Sequence, residues 1–405
     1  MNLVDKIKVQ TLKGFRDFLP EQARKRQYVI NTLRGVFESY GFEPLETPAL
    51  EYEEVLTGKY GEEGNKLMYR FTDNGGRKVA LRYDQTVPLT RVVAQYGDKL
   101  PKPFKRYQIQ PVWRAENPQK GRYREFLQCD IDTVGTKSLL ADAEIIACTV
   151  GAVRKLGIKS AKMQINDRAV FENLKPEFVS AIDKLEKIGK EGVVKELVAK
   201  GMNDAQKYVD SLTQEKPSKN VLAVFKMLKD MGLTEGVDFE FKPSLARGMD
   251  YYTGVIFELV DSENPSLSFA GGGRYDNLIG MFSKQSVPAV GIGFGFDRLV
   301  ETLEEKKLFP KDLVSTKVIV TIFSPDLTNQ SIKVASQLRD AGINTELYSD
   351  EAKLDKQLKY ANKQGIPWVL VIGPEESKND VVKLKNMETR KEESLSVTAL
   401  IKKLK

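Results

Sequence analysis

The chain contains no histidine among its 405 residues. That one absence removes the Ser-His-Asp triad, imidazole metal ligands and imidazole acid–base catalysis. There are only two cysteines, Cys129 and Cys148, too few for a disulfide framework or a cysteine zinc site. No stretch reaches the roughly 18 consecutive apolar residues of a membrane helix. The opening run MNLVDKIKVQTLKGF has neither the apolar core nor the small-residue cleavage site of a secretory leader. A cytoplasmic protein without a membrane partner is the expectation. Common nucleotide signatures are also missing. There is no phosphate-binding GxxxxGK loop, and the run Gly291, Gly293, Gly295 has Phe296 where a dinucleotide fingerprint needs its third glycine. Chemistry in this chain must run on carboxylates, arginines, backbone amides and bound ions.

What is present supports two or three domains at about 150 residues each. The 41% hydrophobic content is enough for a sizeable core. A net charge of +7 with pI ≈ 9.0 permits a polyanionic partner without requiring one. Residues 20–39 open on Pro20 and carry Val29, Leu33, Val36 and Phe37 at helical spacing, with Gly41 as the stop. Short strands are expected at 68–72, 79–83, 107–114, 123–132, 162–166, 255–260 and 267–269, an amphipathic helix at 139–155, and a glycine turn at 271–273. Strand-then-helix character returns at 289–306. The organisation expected is a catalytic domain at 1–167, a Lys/Glu/Leu/Ala-rich helical insertion at 168–235, a second catalytic part at 236–303, a charged linker at 304–316 and an alternating strand–helix domain at 317–405.

Residues 113–132, WRAENPQKGRYREFLQCDID, carry the densest chemistry. Arg114 and Glu116 alternate on what reads as a strand, Asn117 to Gly121 supply a turn, and a second strand aligns Arg122, Arg124, Phe126, Gln128, Asp130 and Asp132 on one face. A solvated sheet face would also look polar. Clustered arginines around one aromatic point instead to a floor for a triphosphate and a base.

This Arg-x-Glu, loop, Arg-x-x-x-Phe pattern resembles motif 2 of class II aminoacyl-tRNA synthetases. Pro48 in LETPALE stands where motif 1 has its dimer-interface proline, and GIGFGFDRL, ending at Leu299 after Arg298, resembles motif 3. SLARGMDYYTG (244–254) and AGGGRYDNL (270–278) are similar to the two histidine-specific segments of the histidyl-tRNA synthetase family. LRYDQTVPL (81–89) and KGFRDFLP (13–20) are similar to its amino-acid-binding segment and N-terminal signature. The resemblance covers essentially the whole chain. It implies an α+β fold: a class II antiparallel sheet of six or seven strands flanked by helices, a helical insertion and a C-terminal α/β anticodon-binding-like domain. It also implies a homodimer, the substrates L-histidine and tRNA(His), ATP, and Mg2+ held through ATP and one or two carboxylates, Glu116 among them.

The resemblance further implies roles. Arg114 and Arg247 would act catalytically on the α-phosphate, Arg247 from the histidine side. Glu116 would contact the adenine side, with Phe126 and Arg298 on either face of the base. Asp84, Thr86 and Gln128 would hold the α-amino and carboxylate groups. Asp132, Tyr251, Tyr252 and Tyr275 would surround the imidazole, and Gln119 would meet the tRNA acceptor end. Many family members have Glu where this chain has Asp84 and Asp132.

Elementary chemistry agrees with these roles. A carboxylate attacking the α-phosphorus of ATP is already a nucleophile, so no histidine base is needed. The demand is for alignment and charge stabilisation, which arginines supply. Plainer readings exist: a surface ion pair for Arg247, core packing for Tyr252 and Tyr275, and a flexible turn for Gly271 to Gly273 rather than close backbone approach. A catalytically silent, synthetase-like regulatory subunit is the alternative function, and a class II enzyme for another amino acid a third. Class I is excluded, because its HIGH signature needs histidine. With no protein histidine, the substrate's imidazole is expected to be the group that titrates between pH 5 and 8. Asp132, Asp84 and Cys129 are the protein groups to weigh against it.

Overall fold

The computed structural model describes residues 8–58, 61–119, 121–172, 174–212, 214–247, 251–282, 286–311, 313–350 and 352–405. The chain divides into two compact units. One contains the residues up to Asp17 and Arg26–Leu308; the other contains Phe18–Lys25 and Phe309–Lys405.

The first unit is built on an eight-stranded sheet. Across the sheet the strands run Glu43–Pro44, Phe104–Trp113, Glu125–Val134, Ala289–Gly295, Asn264–Arg274, Val255–Asp261, Ala161–Asp167 and Phe239–Phe241. The six inner strands pair antiparallel, and the two short edge strands pair parallel with their neighbours. Expectation had six or seven antiparallel strands. The additions are two- and three-residue edges, too short to leave a period-2 pattern in sequence.

Alternation gives the sheet two unlike faces. Tyr107, Cys129, Ile131, Ile292 and Phe294 belong to a buried apolar face. Phe37, from the helix Pro20–Ser39, packs there with ring centroids 5.9 Å from Tyr107 and 5.6 Å from Phe294. The helix Leu139–Lys155 packs against the strands of this sheet as well. It is capped by Ser138, whose side chain accepts from Leu140 N. Buried Ile145, Ile146 and Val150 belong to it.

Over the region read as a helical insertion lie, among the described residues, the short 3-10 helix Arg168–Phe171 and four α-helices: Pro176–Ile182, Leu185–Ala199 with a break at Gly189, Ala205–Leu212 and Lys219–Asp230. Val193, Leu197, Val209 and Leu212 share a core with Tyr252 and Tyr275, so this segment packs behind those two tyrosines.

Several local readings change. The motif 2 strands are displaced from their expected bounds: the first ends at Trp113, so Arg114 and Glu116 lie beyond it rather than alternating on it, and the second begins at Glu125. Gly271 to Gly273 form no turn but sit inside the strand Asn264–Arg274, of which 267–269 is only a part. The helix Thr86–Tyr96 was not anticipated, because Pro88 and the β-branched Thr86, Val87, Thr90, Val92 and Val93 weaken any helical signal. Tertiary burial of Val87, Leu89, Val92 and Val93 stabilises it instead.

The second unit holds a five-stranded sheet in the order Thr345–Leu347, Val318–Val320, Trp368–Val371, Val382–Asn386, Glu392–Leu395. The first three strands pair parallel and the last two extend the sheet antiparallel. Val318, Val320, Val334, Leu338, Leu370 and Leu384 form its core. No helix among the described residues is long and apolar enough to cross a membrane.

Candidate active site

The polar face of the large sheet is paved with glycine. The register sets Gly291 opposite Asp132, Gly293 opposite Asp130 and Gly295 opposite Gln128. On the next strand Gly271 pairs with Gly293 and Gly273 with Gly291. The reason is close approach rather than unusual backbone torsion. A Cβ on Gly291 would stand 1.9 Å from Asp132 Oδ1, and one on Gly271 would stand 2.4 Å from the Arg247 guanidinium. The glycines thus let acidic and basic side chains lie flat over two strands.

A cavity of about 250 Å³ opens above this floor. Asp84, Thr86, Gln128 and Asp132 line it, as do Arg247, Tyr251, Tyr252 and Tyr275. All eight residues expected to surround an amino-acid substrate therefore come together. Asp132 is 3% exposed. Its Oδ2 lies 2.7 Å from Nη2 of the fully buried Arg106, and its Oδ1 accepts from the Tyr275 hydroxyl. Burial raises the Asp132 carboxyl above the ordinary range, and the Arg106 charge opposes the rise. Tyr275 is itself held from behind. The neighbouring Arg274 points to the other side of the strand, where it pairs with buried Asp142 and donates to the carbonyls of Thr136 at 3.0 Å and Ser138 at 3.1 Å. Tyr251 packs on Tyr252 with centroids 4.7 Å apart, and edge-on to Tyr275 at 6.0 Å.

Asp84 Oδ1 accepts from Val87 N at 3.1 Å at the start of the helix Thr86–Tyr96, which fixes the Asp84 side chain. Arg247 Nη1 donates to Glu258 Oε1 at 3.1 Å, and about a quarter of its side chain is exposed. Arg247 is thus a half-buried group at the cavity wall rather than a surface ion pair. Gly248, Met249 and Asp250, which follow it in the RGMDYY run, lie outside the described residues.

A second cavity of about 620 Å³ adjoins the first. Arg114, Phe126, Arg247 and Gly271 line both. Glu116 and Arg298 line only the second. The Arg114 guanidinium stands 5.0 Å from the Phe126 ring centroid and 4.5 Å from that of Tyr83, and its Nε donates to the Tyr83 carbonyl at 3.2 Å. Arg298 Nη1 donates to the Ser268 carbonyl at 2.9 Å. Gln119 is exposed and pairs through its backbone with Arg122. It lines neither cavity; its neighbour Lys120 lies outside the described residues.

The N-terminal KGFR run has a mechanical role here. Gly14, at φ +89°, packs so closely that a Cβ would meet Arg124 Cγ and Cδ at 2.8 Å and Pro118 Cγ at 2.9 Å. Arg124 N donates to the Gly14 carbonyl at 2.9 Å. Arg16 stacks 3.2 Å over the Tyr123 ring and pairs with Asp297 at 3.1 Å, tying the loop of motif 2 to the helix Phe296–Glu305.

Metal binding rests on few groups. Among the described residues, no set of three or more acidic or cysteine side chains could hold an ion alone. Of the carboxylates lining the larger cavity, Asp297 is engaged by Arg16 and Arg26, whereas Glu116 has Arg122 at 3.7 Å. An ion held mainly by a nucleotide's phosphates, with one carboxylate, fits this donor set.

With this geometry in view, similarity to known proteins becomes decisive. The histidyl-tRNA synthetase profile matches residues 14–232 and 172–299, and an anticodon binding domain profile matches 317–405. The chain belongs to the histidyl-tRNA synthetase family. It is an aminoacyl-tRNA synthetase of class II. A histidine–tRNA ligase of Cytophaga hutchinsonii is 40% identical over 97% of this chain and 98% of its own length. One of Rhodopirellula baltica is 40% identical over 96% of each. The crystal structure of histidyl-tRNA synthetase from Nostoc sp. PCC 7120 matches with a TM-score of 0.87 at 31% identity, covering 98% of this chain and 99% of that one. A Bacillus halodurans structure titled as an ATP phosphoribosyltransferase regulatory subunit/histidyl-tRNA synthetase aligns with a TM-score of 0.73 at 21% identity over 89% of the chain, which shows a shared fold alone.

Three residues of the site escaped sequence reasoning as named site residues: Arg106, Asp130 and Arg16. Arg106 and Asp130 share the period-2 face of Asp132 and Gln128, and that was the available signal. Cys129 points to the apolar face, is fully buried, and its thiol is pushed well above its usual range. It does not titrate near neutrality.

The glycine floor gives a direct test. Gly291→Ala should displace the Asp132 carboxylate and destabilise the protein by about 1–3 kcal/mol through overpacking. Thermal melting should register the loss, and the KM for the amino acid should rise while that for ATP changes little. Gly295→Ala, whose Cβ meets nothing nearer than 3.5 Å, should shift the melting temperature far less. Equal shifts would show that the close approach at Gly291 is not what requires glycine.

Proposed function

We propose that the chain ligates L-histidine to tRNA(His) in two steps through a histidyl-adenylate. The histidine carboxylate oxygen attacks the α-phosphorus of ATP, a new P–O bond forms, and the bond to pyrophosphate breaks. The 3′-terminal ribose hydroxyl of the tRNA then attacks the activated carbonyl carbon, forming the ester and releasing AMP. The observation that carries this reading is the pair of adjoining cavities. Acidic and tyrosine side chains surround the smaller one, arginines and Phe126 surround the larger, and Arg114 and Arg247 stand at their junction.

In this reading Arg247 and Arg114 stabilise the charge that builds at the five-coordinate phosphorus. Asp132, oriented by Arg106 and Tyr275, accepts the imidazole N–H. Asp84, Thr86 and Gln128 receive the α-ammonium and carboxylate groups. Phe126 and Arg298 flank the adenine. Magnesium, when bound, neutralises phosphate charge and helps pyrophosphate to leave, and Glu116 is the carboxylate that would hold it. Gln119, on the exposed motif 2 loop, meets the acceptor end, and the unit containing residues 317–405 reads the anticodon. The functional form is a cytoplasmic homodimer whose motif 1 segment carries Pro48.

A catalytically silent regulatory role is less supported. The residues at both cavities are those an active enzyme needs, and the curated relatives at 40% identity are histidine–tRNA ligases. The purified chain with ATP, magnesium and histidine should exchange labelled pyrophosphate into ATP. An absence of histidine-dependent exchange would overturn the ligase reading in favour of the silent one.

A further inference from the structure

The reading above assigns no task to Asp130, a carboxylate 3% exposed that lines the amino-acid cavity. Its Oδ2 accepts from Gln128 Nε2 at 2.7 Å, and its Oδ1 has no hydrogen-bond partner. That unpartnered oxygen lies over Gly293, where a Cβ would stand only 2.8 Å away. Across the sheet, Gln108 stands opposite Asp130 but spends its amide hydrogens on Thr47 Oγ1 at 2.9 Å and Gln110 Oε1 at 2.7 Å. Among the described residues, Gln128 is therefore the side chain that serves Asp130, and none donates to Gln128 Oε1.

We propose that Asp130 is a positioning residue for the substrate's α-ammonium: its ionised carboxylate holds the Gln128 amide so that the Gln128 carbonyl faces the cavity. The argument is one of hydrogen-bond polarity. An ionised carboxylate accepts and cannot donate, so only the NH2 end of Gln128 can turn toward it. The carbonyl is then left on the cavity side as an acceptor, the polarity an ammonium requires. A protonated Asp130 donates instead, captures the Gln128 carbonyl and turns the NH2 group toward the substrate, where it repels the ammonium.

This makes substrate binding pH-dependent. The groups facing Asp130 are Asp132 on its own strand, Arg106 on the neighbouring strand, already paired with Asp132, and Asp84 at the start of the helix Thr86–Tyr96. The strand Ala289–Gly295 presents only glycine on this face. Arg247 and the tyrosine hydroxyls form the far wall. Burial first, then Asp132 and Asp84, push the Asp130 carboxyl up to about 7, against the opposing effect of Arg106 and Gln128. The ammonium binds the ionised form, so affinity is full above that value and falls as pH drops through it, and binding near pH 7 releases a proton. A protein without histidine thus retains a group that titrates near neutrality, which amends the expectation that the ligand's imidazole alone would do so.

The inference rests on the histidine-activating reading, and the test separates the two. Pyrophosphate exchange is measured from pH 5.5 to 8.5 with 1,2,4-triazolylalanine, a histidine analogue whose ring does not titrate there. The KM for the analogue should rise about tenfold for each pH unit below the midpoint near 7, while the KM for ATP stays flat. In Asp130→Asn, the KM at pH 8 should be about tenfold or more above that of the unmodified chain, and its pH dependence lost. A flat profile in the unmodified chain, or an unchanged one in the variant, overturns the proposal. Should Asp130→Asn fail to fold, calorimetry of analogue binding to the unmodified chain at pH 7 in buffers of different ionisation enthalpy decides. Proton release supports the proposal and its absence overturns it. A chain inactive with histidine itself at every pH would instead count against the ligase reading.

Discussion

Pyrophosphate exchange supported by any other standard amino acid should be slower than that with histidine by about 10⁴–10⁵ in kcat/KM. The magnitude follows from what a wrong side chain leaves behind. Asp132 is buried, charged and already bound on one side by Arg106 and on the other by the Tyr275 hydroxyl. An imidazole completes its hydrogen bonding. Phenylalanine, of similar width, leaves the buried Asp132 carboxylate one hydrogen bond short, and that desolvation penalty is repeated in the transition state. A pocket that recognised its substrate by shape alone would discriminate by only about 10–200-fold. Exchange with proline, threonine or glycine at a rate comparable to histidine would therefore refute the assignment of this cavity to an imidazole.

The second large effect belongs to Arg247. Its guanidinium lies over Gly271, within the wall common to both cavities, and is held by Glu258. In the proposed reaction, a charge fixed at that junction would act on the α-phosphate, where negative charge builds during attack. Removing one such preorganised donor typically costs about 10²–10³ in rate. Arg247→Ala should lower the single-turnover rate of adenylate formation by that factor while changing ATP affinity far less, because the interaction strengthens only in the transition state. Arg247→Lys should recover little of the loss, since an ammonium on a flexible stem does not reproduce the planar fork. An unchanged single-turnover rate in Arg247→Ala would show that this arginine is structural.

Much of the site was legible because its residues lie in short local runs. The period-2 spacing of Gln128, Asp130 and Asp132 puts them on one face wherever the strand lies, and the RGMDYY, GGGRYD and GIGFGFDR runs each bring their functional groups within a few residues of one another. Local spacing also carried the helix Pro20–Ser39, whose buried Val29, Leu33 and Phe37 recur every four residues, whereas the helix Leu139–Lys155, expected to be amphipathic, is buried around most of its surface because the fold covers it on several sides.

What local spacing could not carry was which runs face each other. Tyr275 meets Asp132 across 143 positions of sequence, and Arg274 meets Asp142 across 132. Read alone, the alternating glycines at 291, 293 and 295 look like a defective nucleotide fingerprint, and 271 to 273 look like a turn. Only when the sheet sets them opposite Asp132, Asp130 and one another does their purpose emerge: a floor without side chains on which charged groups can lie. Nothing in the local run singles out Arg106, and only burial makes it the counter-ion of Asp132. Asp130 reads as one more acid on a polar strand, because its shift toward neutrality comes from desolvation and from Asp132 and Asp84, and burial is a property of the assembled fold. The sequence by itself thus determined the family, most of the elements and the residue types of the candidate site. Tertiary structure decided their pairing, their burial and hence their protonation, because those depend on contacts between segments far apart in the chain.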